Sequence, residues 1–354
     1  MPDTNTDKKH KHASLRRRLR YVVLLAAIAV AGAGFAGFRL AMTQYEGVAP
    51  CRINIPADAT AEAVLDTLTS ELGDDFGRKV YKLWQWRNRN DGGSAYGSYV
   101  ITPGDRTWAV ANRLYKRRQS PVRVTFNNIR LMDDLAARVS ANMDFSAADF
   151  SAAADSVLPA MGFGNRAEYI AAFVPDTYEF YWSDPADKVI RRLVGVRDEF
   201  WTDSRRKQAS ALGLTPVEVA TIASIVEEET RDATDRGMVA RLYLNRIKKG
   251  MKLQADPTVK FAAGNFAARR ITGDMLATDS PYNTYKTTGL PPGPIRMPER
   301  ATMEIVLNAP RHNFLYMCAS PEFDGTHNYA TDFASHSRNA RAYRAELDRR
   351  GIHQ

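Results

Sequence analysis

A chain of 354 residues, 44% of them hydrophobic, is long enough for two or three domains with a substantial core. Its formal charge of +9 suggests a nucleic-acid binder, but Lys8, Lys9, Lys11, Arg16, Arg17, Arg18 and Arg20, against only Asp3 and Asp7, put more than half of that charge in the first 20 residues. No block of lysine, arginine and aromatic residues follows, so the nucleic-acid reading loses its support, and the two cysteines, Cys51 and Cys318, have no metal-ligand spacing. They could pair in an oxidising compartment or stand as separate thiols.

Residues 21 to 38 carry no charge. At ~1.5 Å per residue they nearly cross a ~30 Å hydrocarbon layer, and residues 40 to 42 extend the span if Arg39 snorkels. The basic flank puts the N-terminus in the cytoplasm by the positive-inside rule. The expected start is therefore a basic cytoplasmic tail over 1–20 and a single-pass signal anchor over 21–42, with the rest outside the membrane. A cleaved signal peptide is the other reading. The apolar run is long for one, and no clear small-x-small site follows it.

After a short linker through Pro50, a pattern of extended apolar start, polar turn and amphipathic helix recurs loosely three times: residues 52–72, 99–116 and 122–143. In the middle copy, Tyr99-Val100-Ile101-Thr102-Pro103-Gly104-Asp105 reads as a strand entering a turn. Trp108, Ala111, Leu114 and Tyr115 then give a helical face. This copy resembles a LysM motif, with Val110-Ala111 in the place of the usual Ile-Ala pair, so residues 43–121 are expected to form a small LysM-like α+β domain. It could bind glycan or serve as a spacer.

Residues 122–354 are expected to form a mixed α+β domain. Between Phe145 and Trp201 the chain reads mainly helical, broken by an aromatic-rich extended stretch in which Pro175-Asp176 marks a turn. Thr215, Pro216, Val217 and Glu218 then form a Thr-x-x-Glu capping box with proline first, so a helix is predicted to start at Pro216. Val219, Ile222, Ile225 and Val226 give it a core-facing stripe.

That helix ends in Glu227-Glu228-Glu229-Thr230. On its wheel Glu228 stacks above Ser224 and Thr221 and reads as a solvated charge, Glu227 follows Ala223 and Ala220, and Glu229 follows Ile225 and Ile222. A substrate could approach closely along the two alanines. Partial desolvation there would raise the Glu227 pKa toward the range of a general acid, which makes Glu227 the candidate. The opposing reading is that Glu227 and Glu229 only pair with Arg231, Arg236 or Arg241.

A second helix runs through Val239, Leu242, Tyr243 and Ile247 to a stop at Gly250. Beyond it the regular pattern gives way to long loops rich in amides and hydroxyls, then a short helix near 303–307, a strand at 314–319 and a C-terminal helix. Loops of this length inside a compact domain are more often functional than idle. No His-Glu-x-x-His, zinc-spaced cysteine pair, phosphate-binding glycine loop or Gly-x-Ser-x-Gly elbow is present, and His327, Asp332 and His336 are not diagnostic of a metal. A carboxylate among neutral hydrogen-bonding groups and aromatic rings suits a sugar polymer.

The ordered series Ala-Ser-Ile-Val-Glu-Glu-Glu-Thr over 223–230, Asn245-Arg246-Ile247, Gly250-Met251, Leu253-Gln254, Asp256-Pro257-Thr258-Val259, Tyr282-Asn283-Thr284-Tyr285, Thr288-Gly289-Leu290-Pro291-Pro292-Gly293-Pro294-Ile295, Gly325-x-His327 and Ser335-His336 resembles the YceG-like family of endolytic murein transglycosylases. Pro175-Asp176-Thr177-Tyr178, the anchor and the LysM-like module fall where that family has them. The segment from Met317 to the insertion-like Pro321-Glu322-Phe323-Asp324 departs from the pattern and unsettles the fit of His327.

The resemblance implies cleavage of the bond between N-acetylmuramic acid and N-acetylglucosamine inside peptidoglycan strands, leaving 1,6-anhydro ends, without a metal or cofactor. It maps the catalytic glutamate, as general acid and base, to Glu227. Gln254, Asn283 and His327 become candidates for holding sugar hydroxyls, and Glu229, Thr230, Asn245 and Asp256 are read as supporting, with Glu229 tied to Arg246. It further implies a single-pass protein of the bacterial cytoplasmic (inner) membrane that trims nascent strands beside penicillin-binding proteins and other cell-wall synthases. Two other classes remain open: a non-catalytic glycan-binding scaffold, and a hydrolytic muramidase with Asp256 as its second carboxylate.

Overall fold

The structure, a computed structural model, describes residues 4 to 89, 93 to 268 and 270 to 352. The first three residues of the expected tail, and its side chains up to residue 16, lie outside what is described. The fold is α+β, as expected, with three two-stranded antiparallel sheets among the described residues. The chain divides into two units, residues 1–121 with 181–183, and residues 122–180 with 184–354.

The first unit begins with α1 (Thr4–Met42), whose stretch Arg17–Met42 is long and apolar enough to cross a membrane. It continues with β1 (Cys51–Ile55), α2 (Ala61–Leu72), α3 (Asp74–Arg87), β2 (Gly97–Ile101) and α4 (Thr107–Tyr115). Strands β1 and β2 are antiparallel, with Cys51 opposite Ile101 and Ile55 opposite Gly97. Ile53, Ile55, Leu68, Val80, Tyr99, Ile101, Val110 and Leu114 close the core between the sheet and the helices. The predicted Gly104-Asp105 turn is present. Gly104 takes φ +87°, and the Asp105 carboxylate accepts from Thr102 N at 2.8 Å and from the Arg113 guanidinium. Helix α3 has no counterpart in the sequence reading.

The second unit opens with β3 (Val122–Phe126), α5 (Met132–Ser140), α6 (Ala147–Ala160) and a 3-10 turn over Arg166–Ala172. Next come β4 (Asp176–Phe180), α7 (Ala186–Phe200), α8 (Asp203–Ala211), α9 (Pro216–Glu229) and α10 (Ala233–Lys248). It closes with α11 (Asp256–Ala262), α12 (Gly273–Ala277), α13 (Arg300–Leu307), β5 (Tyr316–Ala319), β6 (His327–Ala330) and α14 (Phe333–Arg349). Val122 faces Phe180 across β3 and β4, and Tyr316 faces Ala330 across β5 and β6. Helix α11 lies where a loop was expected. Asp256-Pro257 starts it with proline in its first turn, and at seven residues it is too short to show a helical period.

Helix α9 starts at Pro216 as predicted, with both halves of the capping box made: Glu218 N donates to Thr215 Oγ1 at 3.2 Å, and Thr215 N donates to Glu218 Oε2 at 2.7 Å. It is not amphipathic, because every residue from Val219 to Glu227 is buried. Its polar side is covered by the Gly-Leu-Pro-Pro-Gly-Pro-Ile loop, whose Ile295 N donates to Ser224 Oγ at 3.0 Å. That loop presses on the 3-10 turn at Gly293, where an added Cβ would meet Ala167 O at 1.8 Å.

Both cysteines are free. Because main chain rather than a flexible side chain blocks the space at Gly293, Gly293→Ala should destabilise the protein by about 1–3 kcal/mol, read as a lowered thermal midpoint. An unchanged midpoint would show that the loop is not held against the turn.

Candidate active site

The three glutamates at the end of α9 meet three different surroundings. Glu227, with its side chain 2% exposed, accepts from Glu299 N at 2.7 Å and lies 3.3 Å from the Arg296 guanidinium. It thereby anchors the residue that precedes α13. Burial raises its pKa, against hydrogen bonds from Thr302 and the Glu299 amide and the charge of Arg296. The approach along the alanines that the sequence suggested is closed, since Ala220 and Ala223 are 2% and 0% exposed, whereas the expected rise of the Glu227 pKa by desolvation is present.

Glu228 is not a free surface charge. Arg130 donates to both of its oxygens at 3.0 Å, and Arg296 donates to Oε1 at 2.8 Å. Ser224 and Thr221, the supposed polar side below it, are buried at 0% and 1%.

Glu229, the last residue of the helix, reaches a cavity of about 520 Å³ between α10, the segment around Gln254 and the β5–β6 sheet. Gln254, Asp256, Tyr285, Tyr316, His327 and His336 line it too. Burial pushes the Glu229 carboxyl up to about 7, helped by the nearby negative charge of Asp256 and opposed by the Tyr243 hydrogen bond and the charge of His327. Its place at the negative end of the helix dipole acts in the same direction as burial. Tyr243, fully enclosed in the core, donates to Oε1 at 2.6 Å. The expected tie to Arg246 is not made. Arg246 instead donates to the carbonyls of Leu315 and Leu253 at 2.6 and 2.7 Å, which pins both walls of the cavity to α10. Nor do Arg236 and Arg241, named from the sequence as partners, take the glutamates. Arg236 turns to Thr230 O and Arg241 to Pro310 O.

Glu229 also borders a second cavity of about 610 Å³, with Asn128, Arg130, Glu227 and Arg231 in its wall. Glu229 thus lines two recesses.

The remaining sequence candidates separate into lining and framework. Gln254, at the left-handed φ of +50°, lines the first cavity and accepts weakly from Arg246 at 3.4 Å. Asp256 lines it as well and accepts from Tyr285 OH at 2.7 Å. His327 lines it with Nδ1 2.8 Å from Asp235 Oδ2. Burial alone would lower the His327 pKa, but the hydrogen bond and charge of Asp235, joined by Glu229, raise it overall.

Asn283 departs from its expected role. It is 0% exposed, donates to Leu276 O and Thr278 O, and accepts from Tyr285 N, so its amide braces its own loop and is closed to a sugar. Thr230 and Asn245 each bond to backbone carbonyls of a neighbouring segment. Thr230 Oγ1 donates to Gly325 O, and Asn245 donates to His312 O and Phe314 O ahead of β5. Sequence reasoning missed Tyr243, Asp235, Tyr316 and Tyr285 as parts of the site. Tyr285 lay inside a quoted motif. Tyr243 read only as a core position on its helix, and no local signal joins Asp235 to His327.

The family model described as the YceG-like family matches residues 53–342. An endolytic murein transglycosylase of Bacillus subtilis (strain 168) is 36% identical over 145 residues, covering 41% of this chain and 40% of that protein. An endolytic murein transglycosylase of Streptococcus pneumoniae is 30% identical over 190 residues, covering 51% of this chain and 33% of its own length. The matches therefore span less than half of these relatives. A crystal structure of a YceG-like protein from Listeria monocytogenes superposes with a TM-score of 0.54 at 24% identity, over 82% of this chain and 99% of that one, and shares the fold.

A carboxyl ordinarily near 4.5 that rests near 7 in the folded protein holds a proton the unfolded chain gives up, so it costs stability as pH rises between those values. Glu229→Gln should therefore be the more stable protein above pH 7, by at most about 3 kcal/mol, with the difference vanishing near pH 4. Thermal unfolding across that range checks this. A difference that ignores pH would mean that Glu229 titrates normally.

Proposed function

The chain belongs to the YceG-like family, and on that premise we propose that it is a membrane-anchored endolytic murein transglycosylase whose general acid and base is Glu229 rather than Glu227. One observation carries the choice: of the two buried-edge glutamates, Glu229 lines the tyrosine-rich cavity and is pushed up to about 7, so near neutral pH it still carries a proton to give. Glu227 accepts the Glu299 amide on Oε1 and faces the Arg296 guanidinium at 3.3 Å from Oε2, and although burial raises its pKa too, it does not line that cavity. The motif resemblance maps the role to Glu227, but Ile-Val-Glu-x-Glu-Thr contains Glu229 as well.

In this mechanism the Glu229 carboxyl gives its proton to the glycosidic oxygen between N-acetylmuramic acid and N-acetylglucosamine as the bond from the anomeric carbon breaks. The carboxylate then takes the proton of the muramyl 6-hydroxyl. That oxygen attacks the anomeric carbon, closes the 1,6-anhydro ring and leaves Glu229 protonated, with no water consumed. Tyr243 holds the carboxyl in place and stabilises the anionic state that exists between the two transfers. Gln254 and His327 would meet sugar hydroxyls, and the tyrosine faces suit pyranose rings. That Glu229 lines two recesses fits a strand that passes by it, which is what cutting inside a polymer requires. With α1 spanning the cytoplasmic membrane and its basic end inside, the reaction would face the wall.

Asp256 in the same cavity favours a second reading, hydrolysis with two carboxylates. Product ends decide. Mass spectrometry of glycan strands digested by the wild type should show 1,6-anhydro ends, reduced about 10²–10⁴-fold in Glu229→Gln and within about threefold of wild type in Glu227→Gln when corrected for folded protein. Loss of activity in Glu227→Gln with Glu229→Gln active would reverse the assignment, and reducing ends would make the enzyme a muramidase. Activity should fall as pH rises through about 7. Because the Tyr243 bond favours the charged carboxyl, Tyr243→Phe should move that falling limb upward, and a limb that stays put would remove Tyr243 from the mechanism.

A further inference from the structure

The end of α1 is built into the first unit. Thr107 Oγ1, at the start of α4, donates to Leu40 O; Thr107 N donates to Thr43 O at 2.9 Å; and Tyr45 N donates to Asp105 O at 2.8 Å. Leu40, Ala41 and Tyr45 pack against the unit's core. Wherever α1 leaves a bilayer, the first turn of α4 is held at that level.

The residue after Thr107 is Trp108, 37% exposed, and its ring centroid lies 6.4 Å from that of Trp86, 57% exposed. The Arg87 guanidinium sits between aromatic faces, 4.8 Å from the Trp108 centroid and 4.6 Å from that of Tyr115. A lone exposed tryptophan needs no explanation. Two in contact, with a tyrosine and an arginine, have the composition of the belt that membrane proteins place at headgroup depth, where an amphipathic ring is apolar on its face and polar at its edge.

The depth agrees. From Tyr21 to Met42 the helix rises ~33 Å, against a hydrocarbon layer of ~30 Å and headgroup zones of ~5–7 Å on each side. Trp108 adjoins a residue bonded to Leu40 O, so it falls within the outer headgroup zone. We propose that Trp86, Trp108 and Tyr115, braced by Arg87, seat the first unit in the lipid headgroups of the leaflet from which α1 emerges. The inference rests on α1 spanning the bilayer and is independent of the chemistry at Glu229. A stacked sugar is the competing occupant. Continuity with the span favours lipid.

The test uses tryptophan emission of the full chain in phosphatidylcholine vesicles with and without lipids brominated near the top of the acyl chains. None of the five tryptophans lies in α1, so quenching reports the folded units and not the span. Bromolipid should quench the wild type, and Trp86→Phe/Trp108→Phe should lose at least half of the quenchable emission, with Trp86→Phe alone intermediate. Phenylalanine at these exposed positions keeps an apolar ring, and circular dichroism of each variant confirms its fold. Equal quenching in wild type and double variant, or none in either, overturns the proposal. So would glycan strands that shift wild-type emission in vesicles without protecting it from bromolipid.

Discussion

The site depends on the enclosure of α9. A helix buried on every side from Val219 to Glu227 can show polar chemistry only where it ends, and there the chain supplies three carboxyls in a row. An unpaired carboxylate in such a place is costly, so each must find a cationic or hydrogen-bonding partner or keep its proton. Glu227 takes the Glu299 amide and Arg296, Glu228 takes Arg130 and Arg296, and Glu229 takes a single phenol and stays near 7. In the proposed mechanism, the acid is the carboxyl to which the framework gives least compensation.

The surrounding elements have a common purpose in this light. Helix α10 contributes Tyr243 to Glu229 and, one turn on, Arg246 to the backbone of both cavity walls, so the carboxyl and the walls are registered to the same helix. Asp235, in the first turn of α10, does the same for β6 through His327 and Tyr329. The loop around Asn283 is closed on its own carbonyls, which leaves Tyr285 free to meet Asp256. Rigid backbone support of this kind keeps polar groups aimed at a site without loose side chains.

Much of the architecture was legible in the sequence because it is local. The capping box at Thr215, the stop at Gly250, the Gly104-Asp105 turn and the apolar run of α1 each follow from a few adjacent residues. The surroundings of the three glutamates were not legible, for a definite reason. A helical wheel assumes a wet face and a dry one, and α9 has no wet face from Val219 to Glu227, so Ser224 marked a loop contact and Thr221 a bond within its own helix instead of solvent. Asn283 misled in the same way, since an amide in a polar loop looks alike whether it meets a ligand or its own backbone. The bonds that decide such cases, Asp235 to His327 and Glu299 to Glu227, join residues far apart in the chain.

If Glu229 is the acid, burial keeps its carboxyl protonated at neutral pH. The most direct measurement is a carbon-detected NMR titration of the glutamate side-chain carboxyls in the full chain, with the Glu229 resonance assigned by its disappearance in Glu229→Gln. A midpoint near 7 is the predicted result. A midpoint near the ordinary 4.5, with Glu227 as the glutamate that titrates high, would contradict it and return the chemistry to the buried carboxyl beside Arg296.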